Sequence, residues 1–157
     1  MQAEDIASVD LVVHSLVLEL TGKKTPKDGL EGKFSVYHSA AAGIIFGRAG
    51  EDEYSDEIVR RADVIALRDK VHATRDDSIA EDAAKIRVTT NDGRTFEIFV
   101  EHAIGSTTRP MSDAQLRAKF AGLVAPVLGT ERGDRIADAF DKLPDLRNVA
   151  ELVSMTQ

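Results

Sequence analysis

Two strand-like runs, Lys85 to Thr90 and Thr95 to Glu101, are joined through Asn91-Asp92-Gly93, and the length of that joint decides which side chains share a face. With three residues in the loop and Gly93 left-handed, Val88 lies opposite Phe96 and Ile86 opposite Ile98, so all four share one face. A two-residue turn at Asp92-Gly93 would instead set Val88 against Glu97. The three-residue loop is therefore expected. A hairpin with one apolar face needs a cover on that face, and helices elsewhere in the chain must supply it.

Another strand is expected over Ser8 to His14, where Val9, Leu11 and Val13 alternate with Ser8, Asp10, Val12 and His14. Lys23 to Gly32, with Pro26, Gly29 and a run of charges, reads as an exposed connection. Ser35 has the short hydroxyl of a helix cap, and Tyr37, Ala41, Ile44 and Ile45 follow as one apolar stripe. Ser55 to Val71 opens with a serine cap and the acids Asp56 and Glu57, where the helix macrodipole favours negative charge, and is expected to be one helix. Ser112 and Gln115 have capping-box spacing, and Leu116, Phe120, Leu123, Val124 and Val127 continue helically up to Pro126 and Gly129. Two shorter helices are expected after it. The first covers Glu131 to Leu143, capped by Thr130, with Ile136, Ala137 and Phe140 inward; the second covers Asp145 to Met155, with Val149, Leu152 and Val153 inward. The pattern predicts an α+β two-layer sandwich, a largely antiparallel sheet with helices packed on one face, and a single domain over residues 1–157.

Composition narrows the function classes. Twenty basic against twenty-seven acidic residues give a net charge of -7, with no basic cluster to attract nucleic acid or an anionic membrane. Without cysteine there is no disulfide, thiolate nucleophile or thiolate metal ligand, which suits a reducing cytoplasm. The apolar runs are too short for a membrane helix, and the acidic opening MQAEDIAS is unlike a signal peptide. A cytoplasmic location is the expectation.

Chemistry concentrates at Lys33, Ser35, Tyr37 and His38. If Ser35 caps the helix, the free amides of the first turn and Lys33 together favour a carboxylate, and Tyr37 can donate a proton or hydrogen bond to it. From periodicity alone the plainer reading, Tyr37 as a core residue and Lys33 as a solvated loop charge, is the stronger one. The other motifs carry less. Gly22-Lys23-Lys24-Thr25 lacks the earlier glycine of a phosphate-binding loop, which is Val17 here. His14, His38, His72 and His102 have no metal-ligand spacing, so no metal site is expected. His102 closes the second hairpin strand, where a loop could turn toward a ligand, although a water-exposed histidine is the simpler reading. Ser35 and His38 share a helix face without a third group to orient the imidazole, so a hydrolase triad is not supported.

The stretch Leu18 to Gly50, with Phe34-Ser-Val-Tyr37 at the head of a small-residue helix, resembles the 2-methylcitrate dehydratase (MmgE/PrpD) family. Phe99-Val-Glu-His-Ala-Ile-Gly105 and Pro110-Met-Ser-Asp-Ala-Gln-Leu-Arg-Ala-Lys-Phe120 extend the resemblance across nearly the whole chain from about Asp5. Members dehydrate, decarboxylate or epimerise small polycarboxylates, and the match is to the smaller C-terminal lid domain without the larger helical domain that precedes it. The resemblance implies that Tyr37 projects into an active site as a catalytic acid or hydrogen-bond donor, with Lys33, Ser35 and His38 as neighbouring substrate-binding residues. It implies no redox cofactor. The family's other catalytic groups have no counterpart here, so the chain is expected to be incomplete for catalysis alone; one alternative is an in-trans subunit of a split enzyme, completed by a separately encoded helical domain. A non-catalytic carboxylate- or partner-binding domain is the other. Loss of a covering helix would leave apolar sheet surface open, so a homo-oligomer or a stable partner is also expected.

Overall fold

Four strands form one open mixed sheet: β1 (Ile6–Val13), β2 (Val71–Arg75), β3 (Ala84–Thr90) and β4 (Thr95–Val100), in spatial order β2-β1-β3-β4. The computed structural model describes residues 2–157, which divide into two compact units, one running to Arg109 and the other Pro110–Gln157. The sequence suggested one domain; the two units are described here in turn.

In the first unit the hairpin has the register that its loop chemistry dictates. Val88 pairs with Phe96 and Ile86 with Ile98, and Gly93 stands at φ 83°. The loop closes through Thr90 N to Arg94 O at 2.9 Å and Gly93 N to Thr90 O at 2.9 Å. A Cβ on Gly93 would meet no atom within 4 Å, so Gly93→Ala tests backbone strain alone. Chemical denaturation should show a loss of about 1 kcal/mol, the cost of placing an L side chain in the left-handed region.

β1 is central, antiparallel to β3 and parallel to β2. Its buried residues Val9, Leu11 and Val13 are those the alternation selects, and Ile6 extends the strand by one further buried position. Helices α1 (Ser15–Thr21), α2 (Gly29–Gly32), α3 (Val36–Phe46), α4 (Asp56–Val59) and α5 (Ala62–Arg68) fill the segment between β1 and β2. Tyr37 and Ala41 of α3 and Val64 and Leu67 of α5 pack with Val9, Leu11, Val71 and Val88 in one core.

Two expectations are corrected. Ser55 to Val71 is not one helix: Arg61 is extended (φ −66°, ψ 132°) and separates α4 from α5, and Val71 leaves for the sheet. Local pairings favour the break, because Arg60 donates to Lys27 O and Arg61 makes two 2.6 Å contacts to Asp63. Nor is Lys23 to Gly32 simply an exposed connection. Lys23, Lys24 and Lys27 face solvent, but Pro26, Gly29 and Gly32 are buried where α2 docks on the segment before α4.

β4 is an edge strand. Phe96 and Ile98 lie on the core side of the sheet by their pairing, yet they remain 48% and 59% exposed. Within the first unit the helices cover β1, β2 and part of β3.

The second unit comprises α6 (Asp113–Leu128), α7 (Thr130–Asp141) and α8 (Val149–Ser154). The capping box is present, with Ser112 Oγ accepting from Gln115 N at 3.3 Å and Gln115 Oε1 accepting from Ser112 N at 2.9 Å. Gly129, not Thr130, precedes α7, and α8 starts at an Asn148 cap four residues later than the sequence suggested. Ile136 is buried, whereas Phe140, Val149 and Val153, expected inward, are exposed. Arg117 joins α6 to α7 through Asp138 and Asp141.

Candidate functional site

Three devices fix α3, two at its head and one at its end. Ser35 Oγ accepts from His38 N at 3.1 Å, which caps the helix. Ser35 also forms an isolated antiparallel bridge with Gly22, fixing the approach of the Lys23–Lys27 segment. At the other end Gly47 takes the left-handed conformation at φ 69° and donates back to Gly43 O.

Tyr37 lies in the first turn of α3 and is 5% exposed, its ring within the core cluster. Lys24 Nζ stands 5.6 Å from the ring centroid. Among the described residues the phenol oxygen has no hydrogen-bond partner, and it is not one of the polar atoms sealed from solvent. The ring thus provides packing and the hydroxyl is left over. Lys33 is exposed, and its ammonium is held at 2.7 Å by Glu51, so an incoming carboxylate would compete with that contact.

Ser35 and His38 are both fully buried. The Ser35 hydroxyl is committed to the cap and, among the described residues, makes no hydrogen bond with the His38 imidazole. His38 Nε2 lies 2.8 Å from Glu53 O; since a carbonyl only accepts, Nε2 carries the proton. Its Nδ1 is buried without a partner among the described residues. Burial lowers the His38 pKa below the ordinary imidazole value, and nearby Arg68 lowers it further, against the opposing hydrogen bond to Glu53 O. Contact of a substrate with Ser35 or His38 would require the Glu51–Tyr54 turn to move.

That turn is the part of the site the sequence reading missed. Tyr54 packs edge-on to His38, with ring centroids 5.3 Å apart. Ser39 Oγ donates to Ser35 O at 2.9 Å, so in its 2.7 Å contact with Tyr54 the phenol is the donor. The buried Glu53 carboxylate accepts from Arg48 Nε and Gly50 N, both at 2.8 Å. A glutamate three residues after Gly50 has the spacing of a backward-reaching cap, which is the one local signal available for it.

Elsewhere, His102 Nδ1 meets Asp82 Oδ2 at 3.1 Å, and this hydrogen bond holds the Asp82 carboxyl below its usual range. His102 is thus half-buried and paired, not a free strand-end imidazole. Among the described residues no three His, Asp or Glu side chains converge as a metal site. No described helix is long and apolar enough to cross a membrane.

Comparison with known proteins bears on the family. The MmgE/PrpD C-terminal domain matches residues 1–145. The 2-methylcitrate dehydratase of Salmonella typhimurium is 28% identical over 148 residues, covering 87% of this chain and 31% of the relative. The mitochondrial 2-methylcitrate dehydratase of Yarrowia lipolytica is 26% identical, covering 92% and 32% respectively. A cis-aconitate decarboxylase-like protein of Aspergillus oryzae, oryM, is 27% identical, covering 85% and 28%. The chain therefore spans about a third or less of the length of these curated relatives. With a family match over most of its length and an α+β sheet unit to accompany it, the chain belongs to the MmgE/PrpD family and corresponds to its C-terminal domain.

Proposed function

We propose that this chain supplies the lid side of an active site for small polycarboxylates, acting in dehydration, decarboxylation or epimerisation. The observation that carries the reading is Tyr37, a core-anchored ring whose hydroxyl is unpaired among the described residues, at the head of a capped helix. Rigid placement of a proton donor is what general acid catalysis needs. In this scheme Tyr37 donates a proton or hydrogen bond to the carboxylate-bearing substrate. Lys33 exchanges Glu51 for a substrate carboxylate, and Ser35 and His38 form the substrate-side scaffold around them. A base and further cations come from the family's helical domain, and closure excludes water. No redox cofactor enters. The names of the relatives, methylcitrate dehydratases and a cis-aconitate decarboxylase-like protein, support the substrate class.

A second reading, a non-catalytic carboxylate- or partner-binding domain, is favoured by the exposed Phe96 and Ile98 on β4 and Leu116, Val127 and Phe140 on the helices. Self-association or a stable partner would cover such surface. Both readings fit a cytoplasmic protein that binds neither membrane nor nucleic acid. They separate in one experiment: the purified chain, alone and mixed with the helical domain encoded in its genomic neighbourhood, assayed on 2-methylcitrate, citrate and cis-aconitate. Sedimentation of the same samples reports assembly. Turnover only in the mixture is expected; a folded, assembled but inactive mixture favours the binding reading.

A further inference from the structure

We infer that the Glu51–Tyr54 turn is an acid-released latch on the head of α3, with His38 as the group that senses the proton. The inference stands whether or not Tyr37 contacts a substrate.

Three contacts hold the turn to α3: His38 Nε2 to Glu53 O, the Tyr54 hydroxyl to Ser39 Oγ, and the edge-on packing of the Tyr54 and His38 rings. Two of the three pass through one imidazole. That imidazole is fully buried, and its second nitrogen has no acceptor waiting among the described residues. A proton arriving at Nδ1 would place a full positive charge in the core with nothing to receive its hydrogen bond.

The surroundings make that charge worse. Arg68 of α5 is itself buried, donates one guanidinium nitrogen to Val59 O at 3.2 Å, and leaves Nε unpaired. It opposes a second cation beside it. Glu53, the one acid of the turn close by, turns its carboxylate away to Arg48 and Gly50. Tyr54 contributes a neutral ring, Ser35 and Ser39 contribute hydroxyls already engaged along α3, and α2 approaches with Gly32, which has no charge. No group packed on His38 from any of these elements is placed to compensate.

The sign follows. His38 is neutral in the closed turn and free to protonate once the turn opens, because burial depresses its closed-state pKa. Above the ordinary imidazole range both states are neutral and the latch has its full strength. As pH falls below that range, only the open state binds the proton, and the opening equilibrium rises about tenfold per pH unit until the depressed closed-state value is reached. Global unfolding exposes the same imidazole, so the turn is distinguished from the sheet by its lower opening free energy.

Amide exchange read residue by residue and normalised to intrinsic rates, between about pH 7.5 and 5, measures the opening directly. The amides of Glu53 and Ser55, which bond to Gly50 O and Asp52 O, are the reporters, and Val9 and Val88 report the sheet. Protection at Glu53 and Ser55 is expected to fall by about tenfold per unit as the pH drops below about 6.5, with Val9 and Val88 better protected than either at each pH. Nitrogen NMR of the imidazole is expected to show the Nε2-protonated tautomer throughout the closed state. His38→Gln keeps a donor toward Glu53 O but cannot titrate, and its turn protection should be flat with pH. Should that variant fail to fold, the wild-type titration still decides. The latch is overturned if His38 takes up its proton while the Glu53 and Ser55 amides stay protected, or if His38→Gln keeps the wild-type pH dependence.

Discussion

Tyr37→Phe, assayed in a mixture of this chain with a helical domain of the family, is expected to lower turnover by about 10²- to 10⁴-fold, the range for loss of a positioned acid. The same change should leave the unfolding free energy of the isolated chain within about 0.5 kcal/mol, because no hydrogen bond is lost. The contrast follows from the divided character of the residue. Its ring is shared with Ile6, Val9 and Leu67 in the core and is kept by phenylalanine; its hydroxyl has no partner among the described residues and is the only part removed. A core role alone predicts the opposite pattern, full turnover with Phe and collapse with Ala. Retained turnover in Tyr37→Phe would sink the assignment of Tyr37 as donor. Lost turnover accompanied by lost stability would show that the phenol does structural work instead.

What the sequence made legible was local. The register of β3 and β4 is dictated by the three residues between them, the cap at Ser35 by its hydroxyl, and the box at Ser112 by a glutamine three residues on. Each of these signals lies within a few positions of the structure it specifies. β2 was hidden because Val71 to Arg75 directly follows a helical pattern, and its identity depends on β1, about sixty residues earlier in the chain. The same holds at the candidate site. Glu51 to Tyr54 carries three acids in four residues, yet Glu53 is buried and Tyr54 reaches back fifteen residues to Ser39. His38 could be named as a site residue from its position beside Tyr37, but its burial is created by that turn and by Arg68. Tertiary contacts decided which of the four flagged residues faces solvent: Lys33 does, and Ser35 and His38 do not.

Gly29→Ala should be among the most destabilising single-methyl changes in the sheet unit, at about 3 kcal/mol in chemical denaturation. A Cβ at position 29 would fall 2.0 Å from Tyr54 O and 3.2 Å from the Tyr54 carbonyl carbon. Both are backbone atoms, so no side chain can rotate aside. The same glycine donates its N–H to Asp56 Oδ1 at 2.8 Å, which binds α2 to the start of α4. Relief requires α2 and the 54–56 backbone to separate, and that motion pulls on Glu53 O and the Tyr54 hydroxyl together. Gly43→Ala is the matched control. It lies on the exposed side of α3 with no atom within 4 Å of its Cβ position, and alanine there should stabilise the helix by up to about 1 kcal/mol. Opposite signs from the same chemical change would mean that contact with the turn, not glycine flexibility, sets the requirement at Gly29. Equal, small effects at both positions would mean that α2 is not seated on the turn in solution, and the arrangement that presents the head of α3 would have to be redrawn.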